Sequence, residues 1–436
     1  MKKAFLSLIA ASLLLGSYPM ASGFWNNTYK KPLSWLVAGA AVISGFFSYA
    51  YYKYYGEQHV KNGYEGYGHV RALSPRSSQL VKTPQPDPNS LYDRIAGSMI
   101  AGAVGDALGR PTEFIKSVTA IYKQYPKGIR SFADFSKKDF MQGIAPYTDD
   151  TAMAKVTAQV ICQAYNNSHD REKIMDALAR AYVEDMSKSD GWAAPYRAPG
   201  NTCLYAIGTL KDRIAHNETS KLGWWKMYSQ SGKGGGCGSV MRAHPFGLVF
   251  SHDPEKAVAW AAEHSYLTHS DPMALAACAA MAGGVAYAIE GKSPNVIVNY
   301  MINIASYYDV ETAQLMEKAR IYARDHISPK HVYEEFLGWD ARTAIAATVY
   351  TFLMAPDNPR EAIYLGVHTP GDSDSIASMA GALVGARIGF NRLKQEWPEL
   401  DLNRLEGFNE LMHISRDISC NARKKLAAIY IGFFRK

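Results

Sequence analysis

Apolar side chains recur at intervals of three and four residues along most of the chain from Leu91 to its C terminus. This spacing is typical of helices that bury one face, and runs with the strict alternation of surface strands are absent from this part of the sequence. One predicted helix begins at Leu91. Further helices are predicted at residues 150–165, 171–186, 202–214, 255–265, 271–289, 294–306, 311–324, 341–354, 374–390 and 415–433. The pattern therefore predicts an all-α fold.

Residues 91–436 contain no Pro/Ser-rich break, and we interpret them as one all-α domain, although their length would usually suggest more than one. Residues 56–90 have a different composition, in which Gly and Tyr come first and Ser, basic residues and closely spaced prolines follow. Prolines at this density prevent a helix or a central strand and favour extended backbone. This segment is therefore predicted to be a linker.

Residues 1–55 hold two further apolar runs. The first, Ala4–Gly16, follows Met1-Lys2-Lys3 and gives the layout of a secretory signal peptide, but Tyr18–Ser22 is a poor cleavage site. The second, Leu33–Tyr52, carries no charge and is about long enough to cross a bilayer as one helix. We predict membrane attachment by one helix or by a hairpin of two, with the main domain in the cytosol. The alternative is that both runs are core helices.

The net charge of +7 belongs almost entirely to the N-terminal segment. Nine Lys/Arg and three Asp/Glu lie in residues 1–90, which leaves a net charge of +1 for the rest of the chain. A nearly neutral domain of this size gives no electrostatic reason to expect a nucleic-acid groove. Nucleic acid is therefore not a favoured partner.

The cysteines are scattered along the chain and show neither a CxxC motif nor a Cys/His spacing. They are Cys162, Cys203, Cys237, Cys278 and Cys420. An odd number without such spacing indicates neither a disulfide framework nor a zinc site. We expect buried free thiols in a reducing compartment.

Two short acidic stretches, Thr148–Thr151 (Thr-Asp-Asp-Thr) and Asp372–Ser375 (Asp-Ser-Asp-Ser), each open an Ala-rich run with helical spacing. Acids at a helix N terminus have an ordinary structural use, because they cap free N–H groups and complement the helix dipole. Two clusters with hydroxyl neighbours favour a second interpretation, in which both meet around a cation that offsets their repulsion. Oxygen ligands without Cys or His suit Mg²⁺ or Mn²⁺ rather than zinc.

Three further segments have candidate chemistry, and each also has an ordinary structural explanation. In Gly105–Glu113, we expect Gly109 to end the first helix in the left-handed conformation and to leave Glu113 on a turn. The Gly-rich loop Gly234–Arg242 would let backbone N–H groups approach a phosphate or ribose, although it matches neither a Walker A loop nor GxGxxG. His269 precedes a predicted helix, where a role near the cap is the alternative to a ligand role.

Taken in order, these motifs resemble those of the ADP-ribosylglycohydrolase family, over roughly residues 91–390. They are Gly-Asp-Ala-Leu-Gly-x-Pro-x-Glu, Thr-Asp-Asp-Thr, Pro-Gly-x-Thr, Gly-x-Gly-x-x-Met-Arg, Thr-His and Gly-Asp-x-Asp-Ser. The resemblance implies a compact orthogonal bundle of helices with a two-metal site. It also implies a hydrolase that removes ADP-ribose from a modified protein side chain by cleaving the ribosyl glycosidic bond.

The resemblance also implies roles for particular residues. The implied ligands of two Mg²⁺ or Mn²⁺ ions are Glu113, Thr148, Asp149, Asp150, Asp372, Asp374 and Ser375. The implied contacts with the ADP-ribosyl group are Gly236, Cys237, Gly238, Ser239, Val240, Met241, Arg242, His269 and Gly371. Glu113 is the first candidate to steer or deprotonate the attacking water, and Asp149 is the second.

This chain departs from the family pattern at two positions, because Cys237 stands where Asn is common and Pro370 stands where Gly is common. No implied metal-ligand position is lost. The alternatives are a catalytically silent ADP-ribose-binding or immunity-type protein of the same fold, a phosphoesterase or phosphotransferase with paired metals, and a structural membrane protein.

The expected partners are an ADP-ribosylated protein and a membrane, the latter through the N-terminal helices. The helical domain itself is expected to be monomeric. A secreted effector is the alternative to a membrane-associated protein with its main domain in the cytosol.

Overall fold

In the computed structural model of this protein, the described residues are 87–167, 170–227 and 234–434, without the side chains of 166–167 and 423–434. The predicted membrane-associated segment 1–55 lies outside them, as does most of the predicted linker. Both therefore stay predictions, and so does the domain boundary placed near residue 91.

The prediction of an all-α fold is confirmed for the described residues, where the only β-type pairs are isolated bridges. In chain order the α-helices are α1 Leu91–Gly109, α2 Val118–Gln124, α3 Asp149–Asn167, α4 Arg171–Met186, α5 Asn201–Ala215, α6 His244–Val249, α7 Pro254–Ser265, α8 Pro272–Ile289, α9 Pro294–Tyr308, α10 Val310–Arg324, α11 Pro329–Glu335, α12 Ala341–Met354, α13 Pro359–Val367, α14 Ser373–Ile388, α15 Phe390–Glu396 and α16 Phe408–Phe434. Short 3₁₀ helices lie at Phe132–Asp134, Lys137–Asp139, Pro195–Arg197, Cys237–Ser239 and Leu402–Arg404.

Every helix predicted from the spacing of apolar residues is present. The helices that the pattern missed are the short ones, α2, α6, α11, α13 and α15, which are too short to show a repeat. The last helix, α16, begins at Phe408, earlier than the predicted residue 415.

Helices α1 and α14 pack backbone against backbone, and both are buried along nearly their whole length. A β-carbon built on Gly385 would lie 2.1 Å from the carbonyl oxygen of Gly97. On Gly105 it would lie 2.2 Å from the carbonyl oxygen of Ala377. No side chain fits at these distances, so glycine is required for the two helices to approach this closely.

Gly109 ends α1, but not in the left-handed conformation, so that prediction was wrong. Arg110 caps the helix with right-handed angles, φ −47° and ψ −44°. The need for glycine comes from the neighbouring helix, because a β-carbon on Gly109 would lie 2.5 Å from Cα of Asp374. The glycine therefore serves close packing and brings the acidic start of α14 to the end of α1.

One helix among the described residues, α8, is long and apolar enough to cross a membrane by length and composition. The structure buries 83% of its most apolar window. That burial is the property of a core helix, and α8 gives only weak support for a membrane span.

All five cysteines lie among the described residues and none of them forms a disulfide there, as predicted. Four of them are buried, whereas Cys420 is exposed, so the expectation of burial was wrong for this residue. Cys420 lies on α16, and its exposed position gives it no packing role there.

We predict that Gly385→Ala destabilises the protein by about 1–3 kcal/mol, because the added methyl group forces α1 and α14 apart. The matched control is Gly208→Ala on α5, where a β-carbon would meet nothing within 4 Å. Alanine there is expected to stabilise the helix by about 0.5–1 kcal/mol. Denaturant unfolding of the full-length protein measures both changes. Equal stability of the two variants would contradict the proposed packing role.

Candidate active site

The two acidic clusters, which are far apart in the sequence, lie together at the C-terminal end of α1. Thr148–Thr151 forms the start of α3, and Asp372–Ser375 forms the start of α14. Gly109, the last residue of α1, contacts the backbone of Asp374. Asp106, one turn earlier in α1, accepts hydrogen bonds from the first turn of α3. The end of α1 thus holds the starts of two other helices beside each other.

Asp106 has a part in this site that the sequence analysis did not assign. Its carboxylate accepts hydrogen bonds from the backbone N–H groups of Thr148 and Thr151, both at 2.8 Å. The hydroxyl groups of the same two threonines donate to it at 2.9 and 2.6 Å. The helix dipole disfavours an acid in the last turn of a helix. This unusual position of Asp106 is the feature of the sequence that could have indicated its role.

Buried carboxyl groups repel one another in this pocket. Burial raises the pKa of Asp149, Asp150 and Asp372 well above the ordinary aspartate value, and the charge of Asp374 raises each further. Burial also raises the pKa of Asp374. The pKa of Glu113 is raised by burial first and then by the charges of Asp374 and Asp372. In the described part of the chain, none of these groups forms an ion pair with Lys or Arg.

The donor set fits a hard cation. Oδ1 of Asp150 and Oδ1 of Asp374 are buried, and neither has a hydrogen-bond partner. Unpaired oxygens among carboxylates that repel one another would be stabilised by a positive charge, which Mg²⁺ or Mn²⁺ would supply. Among the described residues, no group of three or more His, Cys, Asp or Glu side chains already has a metal-binding arrangement. Like charges keep apart until a cation draws them together, so carboxylates without a bound cation need not have that arrangement. Ligation itself stays a prediction.

The other predicted ligands lie at the same pocket. The hydroxyl of Thr148 lies 2.9 Å from Oδ1 of Asp106 and 3.2 Å from Oδ2 of Asp150. Ser375 is buried on the first turn of α14. Glu113 is half-buried on the turn that follows α1, and its backbone N–H donates to the carbonyl oxygen of Gly109. The seven predicted ligands thus lie close together, where the end of α1 meets the starts of α3 and α14.

The Gly-rich loop reaches the pocket through its first residues. Cys237 is buried, and its pKa is raised by burial first and then by the charges of Asp372 and Asp150. Its backbone N–H donates to the carbonyl oxygen of Trp339 at 3.3 Å, which ties the loop to the segment before α12. Gly371 has φ +145° and lies against the carbonyl oxygen of Leu337, in the same segment that the loop contacts at Trp339.

The remaining predicted substrate contacts support the loop from inside the protein. Arg242 is fully buried and donates to the carbonyl oxygen of Gly238 at 2.9 Å and to the Thr268 hydroxyl at 2.7 Å. The ring of His269 is buried beneath Gly238 and lies 2.7 Å from the same hydroxyl. Ser239, Val240 and Met241 are buried as well. These contacts place Arg242 and His269 behind the loop, and their binding of substrate stays a prediction.

A sequence model described as ADP-ribosylglycohydrolase matches residues 87–424. The ADP-ribosylhydrolase ARH3 of Xenopus tropicalis is 23% identical over 337 residues, which are 70% of this chain and 89% of the relative. The ADP-ribosyl-[dinitrogen reductase] glycohydrolase of Rhodospirillum rubrum is 24% identical over 71% of this chain and 90% of the relative.

A solved structure called an ADP-ribosylglycohydrolase-related protein complex shares the fold, with a TM-score of 0.55 and 21% identity. The match covers 76% of this chain and 99% of that one. At this identity the likeness establishes the fold alone.

We predict that Asp150→Asn stabilises the metal-free protein but removes its response to Mn²⁺. A raised carboxyl pKa means that the folded state binds protons more tightly than the unfolded state. Stability from these groups is therefore present at low pH and is lost as pH rises through the raised values. Removing one charge should relieve about 1.4 kcal/mol for each pKa unit of repulsion.

Thermal unfolding in EDTA and in Mn²⁺ between pH 7.5 and 8.5 measures this effect. In this range the buried histidines are almost wholly neutral in the folded state, where burial lowers the pKa, and in the unfolded state as well. Wild type should lose stability with rising pH in EDTA and regain it with Mn²⁺, whereas Asp150→Asn should show weaker changes of both kinds. Asp417→Asn, on the exposed side of α16, is the control and should match wild type. An equal Mn²⁺ response in all three proteins would contradict a cation site at Asp150.

Proposed function

This chain belongs to the ADP-ribosylglycohydrolase family, and on that premise we propose that it is a metal-dependent hydrolase of ADP-ribosylated proteins. The bond cleaved is the glycosidic bond between ribose and a modified protein side chain. Relatives named as an ADP-ribosylhydrolase and as an ADP-ribosyl-[dinitrogen reductase] glycohydrolase support the reaction class.

One observation carries the proposal for this chain: the acidic starts of α3 and α14 lie together and keep two buried carboxylate oxygens unpaired. A structural cap would use these oxygens on backbone N–H groups. Here Asp106 provides the cap for α3 instead, through its bonds to Thr148 and Thr151. Asp149 and Asp150 are therefore not needed to cap α3, and their negative charge suits cation binding.

The proposed residues have two roles: one group binds the cations, and one residue acts as the general base. Two divalent cations, when bound, would supply positive charge that orients the ribose hydroxyl groups and activates water. Asp149, Asp150, Asp372 and Asp374 would hold them, with the hydroxyls of Thr148 and Ser375. We keep Mg²⁺ and Mn²⁺ as equal candidates, since oxygen donors suit both.

Glu113 is the proposed general base. It stands on a turn at the edge of the pocket and is only half-buried, so a substrate and a water molecule can both reach it. The pKa of Glu113 is raised by burial first and then by the charges of neighbouring carboxylates, and Glu113 becomes a base only when positive charge in the pocket offsets both. In hydrolysis the water oxygen bonds to ribose C1 while Glu113 takes one proton of the water. The bond from C1 to the protein side chain breaks, its electron pair stays with the side-chain atom, and that atom takes up a proton, so that Glu113 ends the cycle deprotonated again. Asp149 is the second candidate for this role.

The Gly-rich loop is the proposed binding site for the ribose and diphosphate. Glycines at 236 and 238 let backbone groups approach a ligand closely, and the start of the loop already borders Asp372 and Asp150. Arg242 and His269 would act by holding the loop, since their hydrogen bonds are made behind it.

The cellular setting is proposed from the sequence alone. We propose attachment to a membrane through residues 1–55, a helical domain in the cytosol that works as a monomer, and an ADP-ribosylated protein as partner. Where residues 1–55 place the protein decides which ADP-ribosylated proteins it can reach.

We predict that full-length protein with Mn²⁺ releases free ADP-ribose from ADP-ribosylated peptides. Glu113→Gln should lower kcat by about 10²–10⁴-fold, since a general base contributes that much. Asp374→Ala should lose both activity and cation binding. Chromatography of the released ADP-ribose measures the rates, and calorimetry measures binding of Mn²⁺.

Asp417→Asn is again the matched control and should keep the parental rate. If Glu113→Gln and Asp374→Ala both cleave at the parental rate, the site is misplaced. If wild type binds ADP-ribose and releases none from any peptide, the chain is a binding protein of this fold instead.

A further inference from the structure

Cys237 places a thiol group at the acidic start of α14. Its side chain is only 4% exposed and forms a hydrogen bond with Ser375, one of the predicted cation ligands. Burial raises the pKa of the thiol first, and the nearby charges of Asp372 and Asp150 raise it further. Neither acidic stretch contains a cysteine, so the sequence analysis considered oxygen ligands alone. The structure adds sulfur to the groups that border the pocket.

The segment Leu337–Trp339, at the rim of the pocket, holds this thiol beside the second acidic cluster. The carbonyl oxygen of Trp339 accepts a hydrogen bond from the N–H of Cys237 at 3.3 Å. The carbonyl oxygen of Leu337 accepts one from the N–H of Asp372 at 2.9 Å. The backbone of one short segment thus positions Cys237 and Asp372 together.

A second contact joins the Gly-rich loop to the first turn of α14. The hydroxyl of Ser375 lies 3.9 Å from the sulfur of Met241, and the N–H of Met241 donates to the carbonyl oxygen of Cys237 at 3.3 Å. The 3₁₀ helix Cys237–Ser239 is therefore held near the acidic cluster at both of its ends. Because Cys237 is also buried, its thiol has little freedom to turn elsewhere.

The carboxylates near this thiol include the two with unpaired oxygens. Oδ1 of Asp150 and Oδ1 of Asp374 are buried without a hydrogen-bond partner, and the charges of both carboxylates act on Cys237. Carboxylate oxygens alone suit hard cations, whereas sulfur favours softer ones such as Zn²⁺. A bound cation deprotonates a coordinating thiol outright, so the raised pKa of Cys237 in the unbound protein does not prevent ligation.

The ordinary explanation for a buried cysteine is packing, because a thiol behaves as a small apolar group. Cys278 fits that explanation, since it is buried in α8 and its thiol donates to the hydroxyl of Ser239 at 3.3 Å. Cys237 differs, because buried and unpaired carboxylate oxygens lie near its thiol. Packing alone gives those oxygens no partner.

We infer that the thiol of Cys237 is a further ligand of the cation site and gives that site affinity for a softer divalent cation such as Zn²⁺. The inference rests on the proposed function for the existence of the cation site, and it names the class of cation that this site selects. Cys237 is also one of the two departures from the family pattern. The preference is therefore a property of this chain rather than of the family as a whole.

Absorption spectroscopy of the full-length protein titrated with Co²⁺ tests the ligand directly, because a cobalt–thiolate bond has a charge-transfer band that cobalt–oxygen bonds lack. All proteins carry Cys420→Ser, which removes the one exposed thiol of the five. The band should appear with bound Co²⁺ and disappear in Cys237→Ser and in Cys237→Ala, of which the second adds no polar group. Cys278→Ser is the matched control and should keep the band. A band that survives both Cys237 substitutions would overturn the inference.

Calorimetry then measures the preference among cations. Cys237→Ser should weaken Zn²⁺ binding by at least about tenfold, since even a partner outside the ligand shell contributes that much. It should leave the affinity for Mn²⁺ nearly unchanged. Equal losses for both cations would indicate a general disturbance of the pocket and overturn the inference. If Mn²⁺ binds and Co²⁺ gives no thiolate band, the inference alone fails. If none of the three cations binds, the cation site of the proposed function fails together with it.

Discussion

The contact between α1 and α14 is the constraint on which the rest of this structure depends. Their backbones approach so closely that a β-carbon at Gly97, Gly105 or Gly385 would overlap the opposite helix. The same contact ends at Gly109 against Asp374, so the packing of the core sets the position of the acidic start of α14. Because helices are stiff, a small shift at the centre would displace these carboxylates by a similar amount.

Asp106 also fixes the position of the other acidic cluster, Thr148–Thr151. It lies in the last turn of α1 and caps the first turn of α3 through four hydrogen bonds. One helix end thus positions two helix starts, and the carboxylates gather where their mutual repulsion is greatest. Without positive charge the arrangement is unfavourable, which is the usual condition of a functional site built into a stable scaffold. The proposed cation relieves this repulsion and gives Glu113 a usable basicity.

The rim of the pocket is built differently from its floor. The floor is made of rigid helix ends. The rim is made of short non-helical stretches joined by single backbone hydrogen bonds, at Phe114, Leu337–Trp339 and Gly371. Such segments vary more readily than packed helices.

The helical fold and the acidic character of the two helix starts could be predicted from the sequence. The three- and four-residue spacing predicted every long helix, and the two Asp-rich stretches could be found because each opens such a helix. Apolar spacing and residue type are local properties, so they can be read along the chain. Tertiary structure alone decided why Gly109 is a glycine, that Asp106 caps α3, that Arg242 lies behind its loop, and that Cys237 lies beside Ser375. These arrangements depend on contacts between residues far apart in sequence, such as Gly109 with Asp374, Asp106 with Thr148 and Arg242 with Thr268, and how the helices pack sets the distances.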